Sequence, residues 1–384
     1  MGRAAASAAD LTSSDRIIGR VRGDAPGHTL ICLGGVHGNE PAGPLGLGHV
    51  LQKLREIGAV QSGEIVAIVG NRAALAAGRR WIDRDLNRGW SDVDVEVPHP
   101  VAEDLEQRQL REAIQSVAAE SCGDVYVLDF HTTSGPGGPF TVFPDTLRCR
   151  AFAQAFPTPI VLGLDEHVRG TIVDFLASKG HVAIAFEAGQ HENPGAARNV
   201  AAAVWIALEM LDMVREQSVH VNRARETLAS AIHDVPKVLQ IRSRHGISEE
   251  DCFAMNEGFG SFDLVRQGQV LATDRFGHVL APKSGLLLMP LYQEQGDDGF
   301  FLVTRVRPLW LTVSRGLRRL GWDRKVHMLP GIQRDPQHKQ TIIVNTRVAR
   351  WLALDLLHLL GFRRLREDGN LLYLQRRQFD VDTQ

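Results

Sequence analysis

Ile31-Cys32-Leu33-Gly34-Gly35-Val36-His37-Gly38-Asn39-Glu40-Pro41 decides how the chain is read, because it passes from an aliphatic strand through a glycine-rich turn into a helix. Strand, turn and helix in that order open an α/β sheet, and such sheets gather their binding sites at the carboxyl ends of the strands. His37 and Glu40 stand at that edge, three residues apart, so an imidazole and a carboxylate can converge on one cation. The same spacing arises by chance in many helices, and the pair alone leaves both a metal site and an ordinary polar turn open.

Working outward, apolar runs at 29–33, 64–69, 125–129, 159–162 and 181–186 read as strands. Stretches 40–57, 102–119 and 195–214 have helical composition, with apolar positions recurring every third or fourth residue. The alternation predicts an α/β domain over 15–214, a mostly parallel or mixed sheet flanked by helices. A disordered leader over 1–14 precedes it and a helical connector over 215–235 follows. From Pro236 short strand-like pieces are divided by Gly, Asp and Pro, which predicts a smaller β-rich domain over 236–307. The remainder, 308–384, is a basic α+β extension with 14 Lys or Arg against 7 Asp or Glu. Within it 347–360 reads as an amphipathic helix, and Arg366-Glu367-Asp368-Gly369-Asn370 as a hairpin turn.

The 384 residues are 44% hydrophobic, enough for a packed core, and carry a net charge of −2. No global charge draws the chain to nucleic acid or to an anionic membrane, so neither is expected as a partner and any electrostatics that matter are local. The basic extension lacks interleaved aromatics and reads as a solvated face or a subunit contact, leaving a homo-oligomer possible. The most apolar helix contains Glu209 and Asp212 and falls short of the ~20 residues a bilayer needs. Cys32, Cys122, Cys149 and Cys252 form no CxxC pair, which points to a reducing cytoplasm and away from a thiolate metal site.

Three further segments carry chemistry. Val125-Tyr126-Val127-Leu128-Asp129-Phe130-His131 is a strand ending in a histidine, with Asp129 on the same face as His131 and therefore placed to orient its ring. A hydrogen-bonded core histidine is the competing reading. With His37 and Glu40, His131 completes the two-His, one-carboxylate set that leaves a zinc position open to water. Ala183-Ile184-Ala185-Phe186-Glu187 ends another apolar strand in a carboxylate, which is either a general base or a charge at a helix start. Arg79-Arg80-Trp81-Ile82-Asp83-Arg84-Asp85-Leu86-Asn87-Arg88 offers forked donors for a carboxylate or an oxyanion, or else a surface lattice of ion pairs.

Taken together, GGVHGNEPAG at 34–43, RRWIDRDLNRGW at 79–90, DFHTTSG at 129–135 and FEAG at 186–189 resemble the succinylglutamate desuccinylase and aspartoacylase family, which is zinc carboxypeptidase-like in fold. The resemblance spans roughly 28–310, since Ala281-Pro282-Lys283-Ser284-Gly285, Pro290-Leu291-Tyr292 and Gly299-Phe300-Phe301 look like the family's C-terminal β domain. It implies one Zn2+ per subunit on His37, Glu40 and His131, with Glu187 as general base and acid. It further implies that Arg80 polarises the scissile carbonyl and that Asn87 and Arg88 grip a substrate carboxylate. Family members that cleave acetyl-aspartate carry another Arg shortly before the catalytic Glu; the nearest here, Arg169, lies further upstream.

The implied activity is zinc-dependent amide hydrolysis, with zinc-bound water activated by Glu187, on a small N-acyl amino acid or related carboxylate. Two rivals stand beside it. A metallocarboxypeptidase would use the same metal set on peptides, and a non-catalytic binding or regulatory protein would keep the fold without the chemistry.

Overall fold

The computed structural model describes residues 16–91, 99–214, 218–338, 340–349, 357–358 and 360–380. Its centre is a row of parallel strands whose side chains alternate between two apolar layers. In β2 (Ala25–Gly34), Leu30 and Cys32 enter one core, and Ile31 and Leu33 the other. Burial on both faces explains why β2, β3 (Ser62–Val69), β4 (Val125–Thr133) and β7 (Val182–Gln190) read as nearly unbroken hydrophobic runs. β3, β2, β4 and β7 lie side by side in parallel.

Seven more strands complete an 11-stranded sheet of order β1-β3-β2-β4-β7-β5-β6-β8-β14-β13-β10. These are β1 (Ile17–Arg22), β5 (Phe140–Val142), β6 (Ile160–Leu162), β8 (Val238–Gly246), β10 (Leu264–Val265), β13 (Gly285–Leu288) and β14 (Asp298–Arg305). The short strands β9 (Ala254–Met255), β11 (Val270–Asp274) and β12 (Gly277–Leu280) form a separate three-stranded sheet. The strands read between 236 and 307 are thus divided between two sheets, with β8 joining the large one by pairing parallel to β6.

Helices cover both faces. On one, α1 (Ala42–Ile57) buries Leu47, Val50, Leu51 and Leu54 at helical spacing and stops at Gly58, whose φ of 55° ends the helix in the left-handed conformation. It packs with α7 (Gly195–Met210) over Leu128, Phe130, Ile184 and Phe186. The opposite face carries α3 (Ala102–Ala119) and α6 (Ile172–Ser178), with Leu110, Ile114, Val117, Val173 and Phe175 against Ile31, Val127 and Ala183. Shorter helices α2 (Arg72–Ala77), α4 (Leu147–Ala153) and α5 (Leu164–His167) fill connections, and α8 (Val219–Ser230) links the parallel strands to β8.

The extension contains α9 (Pro308–Arg319) and an antiparallel sheet of order β15-β16-β18-β17, built from β15 (Ile332–Arg334), β16 (Thr341–Asn345), β17 (Phe362–Asp368) and β18 (Leu371–Arg376). The hairpin turn expected at 366–370 is present, with Asp368 opposite Leu371 and Gly369 at φ 58°. The helix expected over 347–360 lies largely outside the described residues, as does the leader over 1–14. α9 buries Leu311 together with the polar Ser314 and Arg318, while Leu309 and Val313 are exposed. Among the described residues no helix is long and apolar enough to cross a membrane.

Ile184 is fully buried in β7, three residues before Glu187 at the carboxyl end of the strand. Ile184→Ala is expected to cost ~2–5 kcal/mol of stability, through lost burial and a residual cavity. Denaturant titration measures it, and an unchanged midpoint would contradict this placement of the core.

Candidate active site

Sheet register brings the first groups together. Gly34 at the end of β2 pairs with Phe130 of β4, and one residue further His131 pairs with Glu187 of β7. The carboxyl ends of three adjacent strands thus lie level, and His131 and Glu187 are cross-strand neighbours although 56 residues apart in the chain. Between β2 and α1 the turn is shaped by two glycines. Gly35 adopts a φ of 70°, and Gly38 packs so tightly on α2 that a Cβ would lie 2.0 Å from the backbone carbonyl carbon of Ala74. Glu40 sits in this turn, just ahead of α1, and not on the helix.

His37, Glu40 and His131 are all buried, and one ligand atom from each lies within 4.8 Å of the others. His37 Nδ1 lies 2.8 Å from Glu40 Oε1 and His131 Nδ1 lies 3.1 Å from Glu40 Oε2. Each ring is held from behind: His37 Nε2 is 3.0 Å from Asp85 Oδ1, and His131 Nε2 is 3.0 Å from Asp129 Oδ2. A carboxylate behind each imidazole fixes the tautomer and leaves both Nδ1 atoms facing the same point. The backbone N–H of Thr132 donates to Glu40 Oε2 at 3.0 Å. Burial alone would raise the Glu40 carboxyl, yet the two imidazoles hold it well below the usual carboxylate range. His131 is pushed the other way: burial disfavours its cation, and Asp129 and Glu40 nevertheless hold its pKa well above the ordinary value.

The loop 79–90 has no regular structure, and one buried side chain organises it. Glu103, fully buried in the first turn of α3, accepts from the backbone N–H groups of Ile82, Asp83 and Arg84 at 2.7, 3.0 and 3.2 Å. Gly38 N–H donates to the Arg80 carbonyl at 3.2 Å and ties the loop to the His37 turn. Arg80 then reaches Glu40 Oε1 at 3.3 Å and Asp85 Oδ2 at 3.5 Å. Asn87 accepts from the Ile172 N–H at 2.9 Å, at the start of α6, and its Nδ2 lies 3.5 Å from His131 Nε2. Arg88 donates to Asp298 Oδ2 at 3.3 Å and to the Asn87 carbonyl at 3.0 Å.

His37, Glu40, Arg80, Asn87, Arg88, His131 and Glu187 all line one cavity. Asp129 stands behind it with no solvent exposure. Arg169 is not among the lining residues and donates to the Leu365 carbonyl, so the second carboxylate grip sought in the sequence is not supplied by it. Asp85, Thr132 and Asp298 belong to the site and were not singled out. Asp85 was visible within the quoted loop motif, whereas Asp298, far along the chain, carries no local signal.

Glu187 is buried in β7, eight residues before α7 begins, so its surroundings are the cavity and not a helix start. Its Oε2 has no hydrogen-bond partner among the described residues, and burial pushes its pKa up to about 8. The donor set fits a divalent cation. Two imidazole nitrogens and a carboxylate converge on one buried point, and the orphaned Glu187 oxygen lacks the partner a buried carboxyl group needs.

Comparison with known proteins adds the lineage. Residues 26–212 match the succinylglutamate desuccinylase/aspartoacylase catalytic domain. That segment belongs to the succinylglutamate desuccinylase/aspartoacylase family. An N-acyl-aromatic-L-amino acid amidohydrolase (carboxylate-forming) from Xenopus tropicalis is 28% identical over 202 residues, 49% of this chain and 64% of that protein. Its Xenopus laevis counterpart is 28% identical over 174 residues, 43% of this chain and 56% of that one. The aligned stretch therefore spans less than two thirds of either curated relative. Among solved structures, a succinylglutamate desuccinylase/aspartoacylase from Rhodobacter sphaeroides superposes with a TM-score of 0.55 at 17% identity, covering 75% of this chain and 88% of that one. The family fold thus extends well past residue 212.

Two substitutions test the architecture without touching a ligand. Asp85→Asn weakens the hold on His37 and is expected to lower zinc affinity by about 10–100-fold, as measured by competition with a chromophoric chelator. Gly38→Ala forces the turn away from α2 and is expected to lower both melting temperature and zinc affinity. Unchanged zinc affinity in Asp85→Asn would sink the assignment of Asp85 as the support of His37.

Proposed function

We propose that the chain is a zinc-dependent amidohydrolase that cleaves the amide bond of a small N-acyl amino acid or related carboxylate. The observation that carries this reading is the cavity itself, in which two oriented imidazoles and Glu40 converge beside the partnerless, buried Glu187. The names of the Xenopus relatives, amidohydrolases of N-acyl aromatic amino acids, support the same reaction class.

His37, Glu40 and His131 would hold one zinc ion, which supplies Lewis acidity and makes a water acidic enough to ionise near neutral pH. Glu187 accepts the proton that the attacking water loses and delivers it to the nitrogen of the departing amine. Arg80, 3.3 Å from Glu40 and facing the cavity, donates to the carbonyl oxygen as it gains negative charge. Asn87 and Arg88 hold the carboxylate of the amino acid, with Arg88 kept in place by Asp298. One water is consumed, and one carboxylate and one amine are released.

Residues from the end of β13 to the start of β14 enclose the cavity, Met289, Pro290, Leu291 and Asp298 among them, which favours a small acylated amino acid over a peptide chain. The four cysteines are free, Cys122 and Cys252 exposed, and the reducing cytoplasm is the compartment that suits them.

Glu187→Gln tests the reading. The variant should bind a full equivalent of zinc while kcat/KM on N-acyl amino acids falls by about 10²–10⁴-fold. Near-wild-type turnover with full metal would refute the assignment of the base, and chelation that leaves activity intact would refute the metal.

A further inference from the structure

We propose that the basic C-terminal extension is an outer brace for one wall of the cavity, with Arg377 and Arg318 as positioning residues that decide how large an apolar group the site accepts. The inference rests on the amide-hydrolysis reading only in naming what occupies the wall. The wall consists of Val142, Phe143 and Pro144 after β5 and of Leu164, Val168 and Val173 on and around α5 and α6. It adjoins the proposed carboxylate grip, because the N–H of Ile172 is bonded to Asn87, and so it faces the amino-acid half of the substrate.

Each stretch of this wall is tied to the extension by a charged side chain one or two residues away. Arg377 donates through Nε and Nη2 to Asp165 Oδ2 at 3.1 and 2.7 Å, and Asp165 follows Leu164. Arg318 donates to Asp145 Oδ2 at 2.9 Å and to the Asp145 carbonyl at 2.7 Å, and Asp145 follows Pro144. Arg363 donates to both oxygens of Asp174 at 2.9 and 3.0 Å, beside Val173. Arg169, beside Val168, donates to the Leu365 carbonyl. The Arg318–Asp145 and Arg377–Asp165 pairs are largely withdrawn from water: Arg318 is 3% exposed, Asp145 6%, and Arg377 and Asp165 8% each.

The network is closed on the extension's side as well. Arg150 of α4 grips Asp145 through two bonds of 2.9 and 2.7 Å and reaches Ser314 of α9 at 3.1 Å. Arg318 also donates to Asp380 at 3.0 Å, and Asp380 in turn accepts from the Leu147 N–H at 2.9 Å. α9 buries Leu311 in the core beside these inward polar groups, and the forked pairs add a directional restraint to that apolar contact. An apolar contact tolerates sliding, whereas a forked guanidinium fixes position, and removing one partner strands a buried charge. The carboxylates so fixed are the ones next to the wall.

The test compares wild type, Arg377→Met and Arg377→Lys, all zinc-loaded, on N-acetyl-L-alanine and N-acetyl-L-phenylalanine, together with amide hydrogen exchange across α5 and α6. Arg377→Met is expected to raise KM for the phenylalanine substrate about fivefold or more, with kcat within about twofold and the alanine substrate little affected. Exchange in α5 and α6 should quicken about tenfold, and Arg377→Lys should recover part of both effects. Should Arg377→Met fail to fold, Arg363→Gln, which breaks a partly exposed pair, decides with the same pattern expected at smaller amplitude. The proposal is overturned if exchange in α5 and α6 is unchanged, or if both substrates lose kcat and KM in parallel. If wild type cleaves neither substrate, the amide-hydrolysis reading falls, and the exchange comparison still decides the brace.

Discussion

Everything at the carboxyl edge of the sheet depends on a carboxylate, Glu40, being buried between two imidazoles that are themselves backed by carboxylates. Withdrawing so many ionisable groups from water is costly unless each finds a partner. The partners come from different parts of the chain: β2 and its turn provide His37 and Glu40, the 79–90 loop Asp85, and β4 His131 and Asp129. The level ends of β2, β4 and β7 place two of these sources, and Glu103 in α3 places the third by holding the backbone of 82–84. A slip of one residue in β4 would turn His131 and Asp129 to the other face and bury Phe130 where the cavity now is. The register is protected by apolar layers on both sides, so the strength of the core and the geometry of the site are one constraint.

The sequence is legible where a single segment suffices. Runs buried on both faces announce β2, β3, β4 and β7, and the polar residue that ends each run announces a site, which is how His131 and Glu187 stand out. β1 and β5 are not legible in that way: β1 interrupts its apolar pattern with Gly19, Arg20 and Arg22, and β5 is three residues long. Nor does a strand reveal its neighbour. β8 has the composition of a small β domain, but its pairing with β6 makes it part of the large sheet, and pairing across roughly eighty residues leaves no mark on either segment.

The same distinction separates the residues of the site. His37, Glu40, Arg80, Asn87, Arg88, Asp129, His131 and Glu187 all lie in short motifs at strand ends or in one polar loop, and all but Asp129 line the cavity. Asp298 lines the cavity and holds Arg88, while the arginines of the extension act from outside it, on Asp165 and on the carboxylates beside its other wall residues. Asp298 meets Arg88 only because β14 runs antiparallel to β8, and it is also held by Arg244 of β8. The pairing and the contact appear together or not at all, so nothing short of the fold could reveal them.

Chemistry and selectivity are thereby built from different material. The groups proposed to hold metal and move protons belong to parallel strands whose geometry is set by local sequence and dense packing, and such groups tolerate little change. The wall of 142–144 and 164–173 lies on and around short strands and short helices, and although Val142, Phe143, Val168 and Val173 pack into the two apolar cores, such contacts do not by themselves fix position. Directional pairs from Arg318, Arg363 and Arg377 supply the missing constraint from outside. A site arranged in this way can change the substrate it admits by altering its brace, and the wall is joined to the strand ends at several points: Asn87 accepts from the Ile172 N–H, the Trp90 N–H donates to the Gly170 carbonyl at 3.1 Å, and β5 pairs with β7, Val142 opposite Ala185. Asn87, whose Nδ2 also lies 3.5 Å from His131 Nε2, is one point at which a shift in the wall reaches the proposed metal site.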